Sequence, residues 1–517
     1  MVDLLQKLLP ETLPRAWLFL FLFCLIVSMQ YWFTGKFSAK RQRLPPSPPA
    51  LPIIGHLHLI GSLPHISLSG LARKHGLDVM LLRLQGTVPN LVVSSSRTAE
   101  AVLHTHDHVF ASRPYSVVSD TIMYRSSDIG FAPYGEYWRQ ARKLVTTHML
   151  SAKKVQSFRG AAAEEVSMAM AKINQAAATD AAVDMSELLH TFANDMACRI
   201  VSGKFFLKDG QSKLFGELIK DTSRLLGGFN LEEYFPAVGR VGVLKKAVCA
   251  KAERVRNRWA DLLDKVIDDH VSKRKSGSST SILGDFPVDI MLSVQQEYDL
   301  TREHMKALLT DVFFGAIDTS ANALEFTLAE LMKKPHLMVK LQDEVRGIVP
   351  QRQEIICETD MNNMTYLRAV IKESLRLHPL APLLAPHLAM ADCIIDGYTV
   401  PAGMRVVVNA WAIGRDPSSW EYAEEFIPER FTDEGSSMHV NFKGNDFQFL
   451  PFGARRRMCP GMNLGVANAE LMLADIVCHF DWELPPGVER KDIDMTEVFG
   501  LTVRRKEKLL LIPKSCM

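Results

Sequence analysis

The chain has 517 residues, of which 47% are hydrophobic and 23% charged, and its formal net charge is +2. That balance is the composition of a globular protein with a sizeable core, and the near-neutral charge gives no support to nucleic-acid binding, which shows as a basic excess. Eight cysteines (24, 198, 249, 357, 393, 459, 478 and 516) occur without a CxxC pair or a regular spacing, which argues against a disulfide scaffold and a structural zinc site.

Residues 1–15 form a short leader to an apolar run, Ala16 to Phe33, that carries no formal charge. A helix of that length rises about 27 Å, enough for a thin bilayer core. Trp17 at one end and Tyr31 and Trp32 at the other suit the two interfaces. Lys36, Lys40, Arg41 and Arg43 follow without an acid, so the positive-inside rule puts the N-terminus in the lumen and the rest in the cytosol. A cleaved signal peptide is the rival reading, but no small-x-small site follows and the run is long for such a segment. Residues 34–55 then read as a basic, proline-rich hinge. Five prolines between Pro45 and Pro52 forbid a helix and predict a stiff polyproline spacer.

From 56 to 517 the chain reads as one domain, mainly α with a small β-rich region. Helical patterns cover Ala161–Ala177, Ala247–Lys275, Arg302–Lys333, Pro335–Ile348 and Met462–His479. Strand-like runs lie at Asp78–Leu84, Asn90–Val93, Cys393–Asn409 and Lys508–Ile512, and 277–281 (GSSTS) reads as a surface loop.

Several short patterns stand out in chain order. His104, His106 and His108 invite a metal reading, but 106 points away from the face shared by 104 and 108, and a solvated helix end is expected. Trp138 and Arg142 fall four apart on one helical face, which read alone is an amphipathic surface helix. Gly315-Ala-Ile-Asp-Thr-Ser320 places three poor mid-helix residues in the Arg302–Lys333 segment, marking a site or a kink. Glu373 and Arg376 lie three apart, which on a surface is an ion pair worth under about 1 kcal/mol. Phe452-Gly-Ala-Arg-Arg-Arg-Met-Cys459-Pro-Gly461 puts a cysteine just before a helix N-terminus, where the dipole and free N–H groups favour thiolate. A lone cysteine in a basic loop remains weak evidence.

Together, these stations resemble the cytochrome P-450 superfamily from the anchor to the C-terminus. Phe452, Arg457, Cys459 and Gly461 match its haem-binding signature, while Arg455 stands where the family has a glycine, at a cost of about 1 kcal/mol if the turn needs positive φ. The resemblance implies the family fold, haem b with Cys459 as axial iron ligand, and propionate contacts from Trp138, Arg142 and Arg457, with His387 and, more loosely, Arg113 beside them. It makes Asp318 and Thr319 the acid–alcohol pair that relays protons to iron-bound dioxygen, with Ala316 in place of a second glycine. Glu373, Arg376 and Arg430 (of Pro428-Glu-Arg-Phe431) become a structural network behind the haem. Phe313, Phe314, Leu383 and Leu501 become walls of the substrate pocket.

The implied reaction is an NADPH- and O2-dependent hydroxylation of a small hydrophobic substrate, with electrons from a membrane-bound NADPH-cytochrome reductase that docks near Lys143 and Arg456. The anchor, the hinge and the "PERF" segment resemble plant microsomal members of the endoplasmic reticulum membrane. The stretches from Val183, Leu262 and Asp492 resemble the grass branch that hydroxylates indole and indolinones on the way to benzoxazinoid defence compounds. A terpenoid, phenylpropanoid or xenobiotic substrate remains open, as do a reductase-independent peroxide-rearranging enzyme and a silent haem-binding relative.

Overall fold

The computed structural model describes residues 43–516 apart from 52–53, 77, 86–87, 204–210, 228–241, 276–285 and 350–355, together with Phe21 and Cys24. The predicted anchor, save those two positions, and the whole predicted surface loop 277–281 therefore lie outside the described residues. Among the described residues, no helix is long and apolar enough to cross a membrane.

Six helices carry the site: α1 (Glu136–Leu144), α2 (Met185–Ser202), α3 (Gln211–Leu226), α4 (Arg302–Lys333), α5 (Thr365–Leu377) and α6 (Met462–His479). The longest of them, α4, starts where Thr301 can cap it. The Thr301 hydroxyl accepts from the His304 N–H at 3.1 Å, and the His304 ring accepts from the Thr301 N–H at 3.3 Å. Such reciprocal capping satisfies two donors that a helix start leaves open. From Met305 to Met332 this helix is buried on nearly all sides, as expected of a helix through the middle of a core rather than over it. α2 lies along it, and α5 and α6 pack on its C-terminal part.

The β-rich part is small. Val79–Gln85, Val88–Val93, Arg405–Val408 and His387–Leu388 form one sheet in that order, with only the Val88–Val93 and Arg405–Val408 pair parallel. Val183–Asp184, Leu510–Ser515 and Phe480–Glu483 form a second. The run expected as one strand over Cys393–Asn409 is a hairpin, Cys393–Ile395 with Tyr398–Val400, followed by the separate strand Arg405–Val408. Asp396 and Gly397 turn it, both at positive φ (52° and 74°), the backbone that a two-residue hairpin demands.

The proline segment is fastened to the first sheet. The Leu81 N–H donates to the Pro46 carbonyl at 2.8 Å. His56 is fully buried; its Nδ1 accepts from the Arg83 N–H at 2.8 Å and its Nε2 donates to the Pro48 carbonyl at 2.9 Å. Gly55 makes this approach possible: φ is 59°, and a Cβ there would sit 2.1 Å from the Arg83 oxygen.

Candidate active site

The cysteine loop is a tight turn sealed onto itself. The Cys459 N–H donates to the Phe452 carbonyl at 2.9 Å and the Met458 N–H to the Arg455 carbonyl at 3.0 Å. Gly453 and Arg455 both have positive φ, 67° and 54°. Arg455 therefore occupies a left-handed position that glycine fills without strain.

Cys459 keeps open surface, yet burial pushes its thiol up from the usual range. The N–H groups of Gly461 and Met462 and the Arg142 charge pull the other way. Full thiolate character comes with a cation at the sulfur, which deprotonates a coordinating thiol outright.

Three arginines converge beside this loop. Arg142, from α1, donates to the Met458 carbonyl at 2.5 Å. Arg457 donates to the carbonyls of Ala111 (2.6 Å), Ile129 (3.1 Å) and Ala132 (2.6 Å) and lies 4.2 Å over the Trp138 ring. The Trp138 indole N–H bonds the same Ile129 carbonyl at 2.9 Å. Arg113 reaches the carbonyls of Gly130, Ala385 and Pro386. Among the described residues, none of the three has a carboxylate within ion-pair distance. Burial disfavours the Arg113 charge, and Arg457 adds repulsion; burial pulls Arg457 down to about 10. Positive charge left without a counter-anion in a buried place is an anion site in waiting.

His387 lies in the same buried surroundings. Burial, and after it Arg113, drives the ring well below the usual range. Its Nδ1 donates to the Phe110 carbonyl at 2.7 Å, so Nε2 of the neutral ring is an acceptor rather than a cationic donor.

Under the same 128–132 loop lies a carboxyl pair that is not among the residues singled out above. Asp128 accepts from the Phe131 N–H and Asp311, on α4, from the Ile129 N–H, each at 2.7 Å. Burial raises Asp128 to about 6, and burial with the Asp128 charge raises Asp311 well above the carboxylate range.

Next on α4 is an opening in an otherwise closed helix. Gly315 is exposed, and a Cβ there would meet nothing within 4 Å. The Thr319 hydroxyl donates back to the Gly315 carbonyl at 2.7 Å. Asp318 faces elsewhere: one carboxylate oxygen accepts from Thr502 Oγ1 at 2.7 Å, and the other lies 3.5 Å from His190 Nε2. Burial opposes its charge, but His190, then Thr502 and Arg504, hold the carboxyl below its usual value. Asp318 lies in the wall of a polar cleft of about 700 Å³ that Glu325 and Arg504 also line.

Glu373, Arg376 and Arg430 do come together. Arg376 grips both Glu373 oxygens (2.7 and 2.8 Å) and Arg430 one of them (3.1 Å). Glu373 is fully buried, so the surface figure for such a pair does not apply.

Leu383 and Leu501 line a narrow cavity of about 80 Å³ with Arg113 and Phe131. Phe313 does not line it; its ring packs at 5.3 Å from Phe215 and 6.2 Å from Trp259, in the core, and the adjacent Phe314 is also buried. Lys143 is exposed, whereas Arg456 is engaged by Asp107 at 2.6 Å. His104 stacks on Phe447. Sequence reasoning missed His56, Asp128, Asp311 and His190. Only Asp311 carried a signal, an acid in mid-helix.

A cysteine with open surface on a sealed turn, three arginines (Arg113 buried, Arg142 and Arg457 half-buried) with no carboxylate partner among the described residues, and the exposed Gly315 on the central helix fit a flat, iron-containing dianion such as haem b. The family model described as Cytochrome P450 matches residues 45–512. Among curated proteins, the chain is similar to indole-2-monooxygenase of Zea mays, 55% identical over 91% of this chain and 87% of that one. It is also similar to the Zea mays indolin-2-one monooxygenase, 50% identical over 93% and 92%. Among solved structures, a zebrafish cytochrome P450 with abiraterone superposes with a TM-score of 0.73 at 24% identity, covering 88% of this chain and 99% of that one.

Proposed function

The chain belongs to the cytochrome P450 family and is a haem-thiolate monooxygenase, and within that family we propose that it hydroxylates indole or an indolinone. The carrying observation is the 55% identity to a protein named indole-2-monooxygenase across nine-tenths of the chain. The narrow cavity bounded by Leu383 and Leu501 supports a small flat substrate.

In this reading the Cys459 sulfur would hold the haem iron, and Arg142, Arg457 and Arg113 would neutralise the haem propionates, with Trp138 holding Arg457 in place. When bound, haem would supply the reductive cleavage of dioxygen, with one oxygen atom entering the substrate and the other leaving as water. Asp318 carries protons from the polar cleft, and Thr319 orients them at the opening beside Gly315. Glu373, Arg376 and Arg430 fasten α5 to the segment around Pro428. Electrons from NADPH arrive through a reductase that meets the exposed Lys143. Residues 16–33 anchor the protein in the endoplasmic reticulum membrane, 34–55 connect, and 56–517 catalyse.

Incubation of reductase-coupled membranes with indole, NADPH and O2 tests the substrate. Hydroxylated indole is expected; consumption of neither NADPH nor indole, against turnover of a terpenoid, would overturn it. Two rival classes are decided by the same preparation. A peroxide-rearranging enzyme would work without NADPH, and Asp318 in its polar cleft speaks against that class. A silent relative would lack the reduced, CO-bound spectrum of thiolate-ligated haem.

A further inference from the structure

Helix α3 ends against the turn that carries Leu501. The Leu501 N–H donates to the Ser223 carbonyl at 3.0 Å, and neither backbone leaves room for a side chain at the contact. A Cβ on Gly227 would lie 2.6 Å from the Gly500 carbonyl carbon, and one on Gly500 would lie 2.7 Å from Ser223 Oγ. Leu226, Gly227, Phe499, Gly500 and Leu501 all line the narrow cavity, so this glycine-to-glycine seam is part of its wall.

Behind the seam runs a hydroxyl chain whose direction is fixed by chemistry. Ser223, Thr502 and Asp318 are all buried. An ionised Asp318 only accepts, so the 2.7 Å bond uses the one hydroxyl proton of Thr502. The 3.1 Å contact between Ser223 Oγ and Thr502 Oγ1 then has Ser223 as donor. Ser223 thus points at Thr502, and Thr502 at the acid. Ser223 sits on the helix that forms the wall, Thr502 on the turn facing it, and Asp318 on α4. Parting the wall would break the first link and free the second.

We propose that Ser223 and Thr502 are positioning residues that couple closure of the α3 wall to the Asp318 carboxyl, holding it in one rotamer while the wall is shut over substrate and releasing it when the wall parts. The proposal rests on the reading of Asp318 as proton carrier. Substrate seating and proton supply are then one event, and electrons are not spent on dioxygen in an open site.

The test uses the full-length enzyme with its reductase, indole as substrate, and the variants Thr502→Val, Thr502→Ser, Ser223→Ala and Asp318→Asn. Two quantities are read: product formed per NADPH consumed, and the His190 ring titration by nitrogen NMR, assigned by its loss in His190→Gln. Removing the Thr502 hydroxyl leaves the carboxylate leaning on His190 and the Arg504 charge, so the His190 titration moves upward in Thr502→Val. Product per NADPH falls severalfold in Thr502→Val and Ser223→Ala, with the CO-bound spectrum unchanged. Thr502→Ser restores both quantities, and Thr502→Val adds nothing in an Asp318→Asn background. Wild-type values of both quantities in Thr502→Val and Ser223→Ala, with Asp318→Asn impaired, overturn the coupling alone. Wild-type product per NADPH in Asp318→Asn overturns the reading of the acid and this proposal with it. If Thr502→Val does not fold, Ser223→Ala decides.

Discussion

Asp128 and Asp311 meet across Gly130: a Cβ built there would lie 3.3 Å from an oxygen of one and 3.4 Å from an oxygen of the other. The two carboxyls hold the N–H side of a loop whose carbonyls hold Arg113 and Arg457. Protonation and the two arginines are thereby linked through the backbone of this loop. Both carboxyls are raised, so the native protein keeps protons that the unfolded chain releases. The stability this contributes is full below the ordinary value of 3.8 and is lost as pH rises through about 6. Asp311→Asn removes one charge while its amide oxygen still accepts from Ile129. Denaturant unfolding of this variant should show a shallower fall in stability between about 4 and about 6. An unchanged slope would mean that the pair does not share the burden of burial.

Arg455→Gly should tighten the cysteine loop. Relief of a left-handed arginine is worth about 1–2 kcal/mol, from which the larger unfolded-state entropy of glycine subtracts roughly 0.5–1 kcal/mol. Slower haem loss to an apoprotein acceptor is expected. Faster loss would show that the exposed Arg455 side chain contributes to the loop more than its backbone costs.

Glu373→Gln leaves two buried guanidinium groups facing a neutral amide. Breaking a buried pair from one side costs about 3–5 kcal/mol, enough to deplete folded holoprotein. The expected result is a low yield of haem-loaded enzyme with normal turnover per haem in what remains, read by haem content against total protein. Normal turnover per haem separates a structural part from a chemical one.

Cys459→Ser should abolish the thiolate-type CO spectrum and the monooxygenation with it, since a serine oxygen is neither anionic nor a soft donor. Retention of both would remove the central assignment of the site.

Asp318→Asn keeps shape and loses the proton. Loss of a positioned proton carrier costs about a hundredfold or more in rate. Oxygen consumption without matching product, measured side by side, is the expected signature.

What could be read from the chain was what is local. Arg302–Lys333, Pro335–Ile348 and Met462–His479 match the sequence expectation at both ends, because Thr301, Pro335 and Gly461 are start signals that act within a few residues. The cysteine loop was legible for the same reason, and Arg455 at positive φ is where its missing glycine pointed. The hairpin at 393–400 was legible and overlooked: Asp396-Gly397 is a turn signal inside what was read as one strand. The last strand runs on through Pro513, past the sequence expectation. Beyond Leu511 it has a partner on one side only, which is where a proline is tolerated. His56, Asp128, His190 and Thr502 were not legible, and Asp311 showed only as an acid in mid-helix, because each acquires its meaning from a partner far along the chain.

The imidazole of His56 uses one nitrogen to receive and the other to give, and the shorter contact at each, 2.8 and 2.9 Å, is to main chain. A pull on the polypeptide ahead of Pro45 is therefore borne by the strand Val79–Gln85 and not by side-chain friction. The segment from Pro45 to His56 is thus a rigid handle on the first sheet, and lengthening the chain ahead of Arg43 would leave its hold on that sheet unchanged.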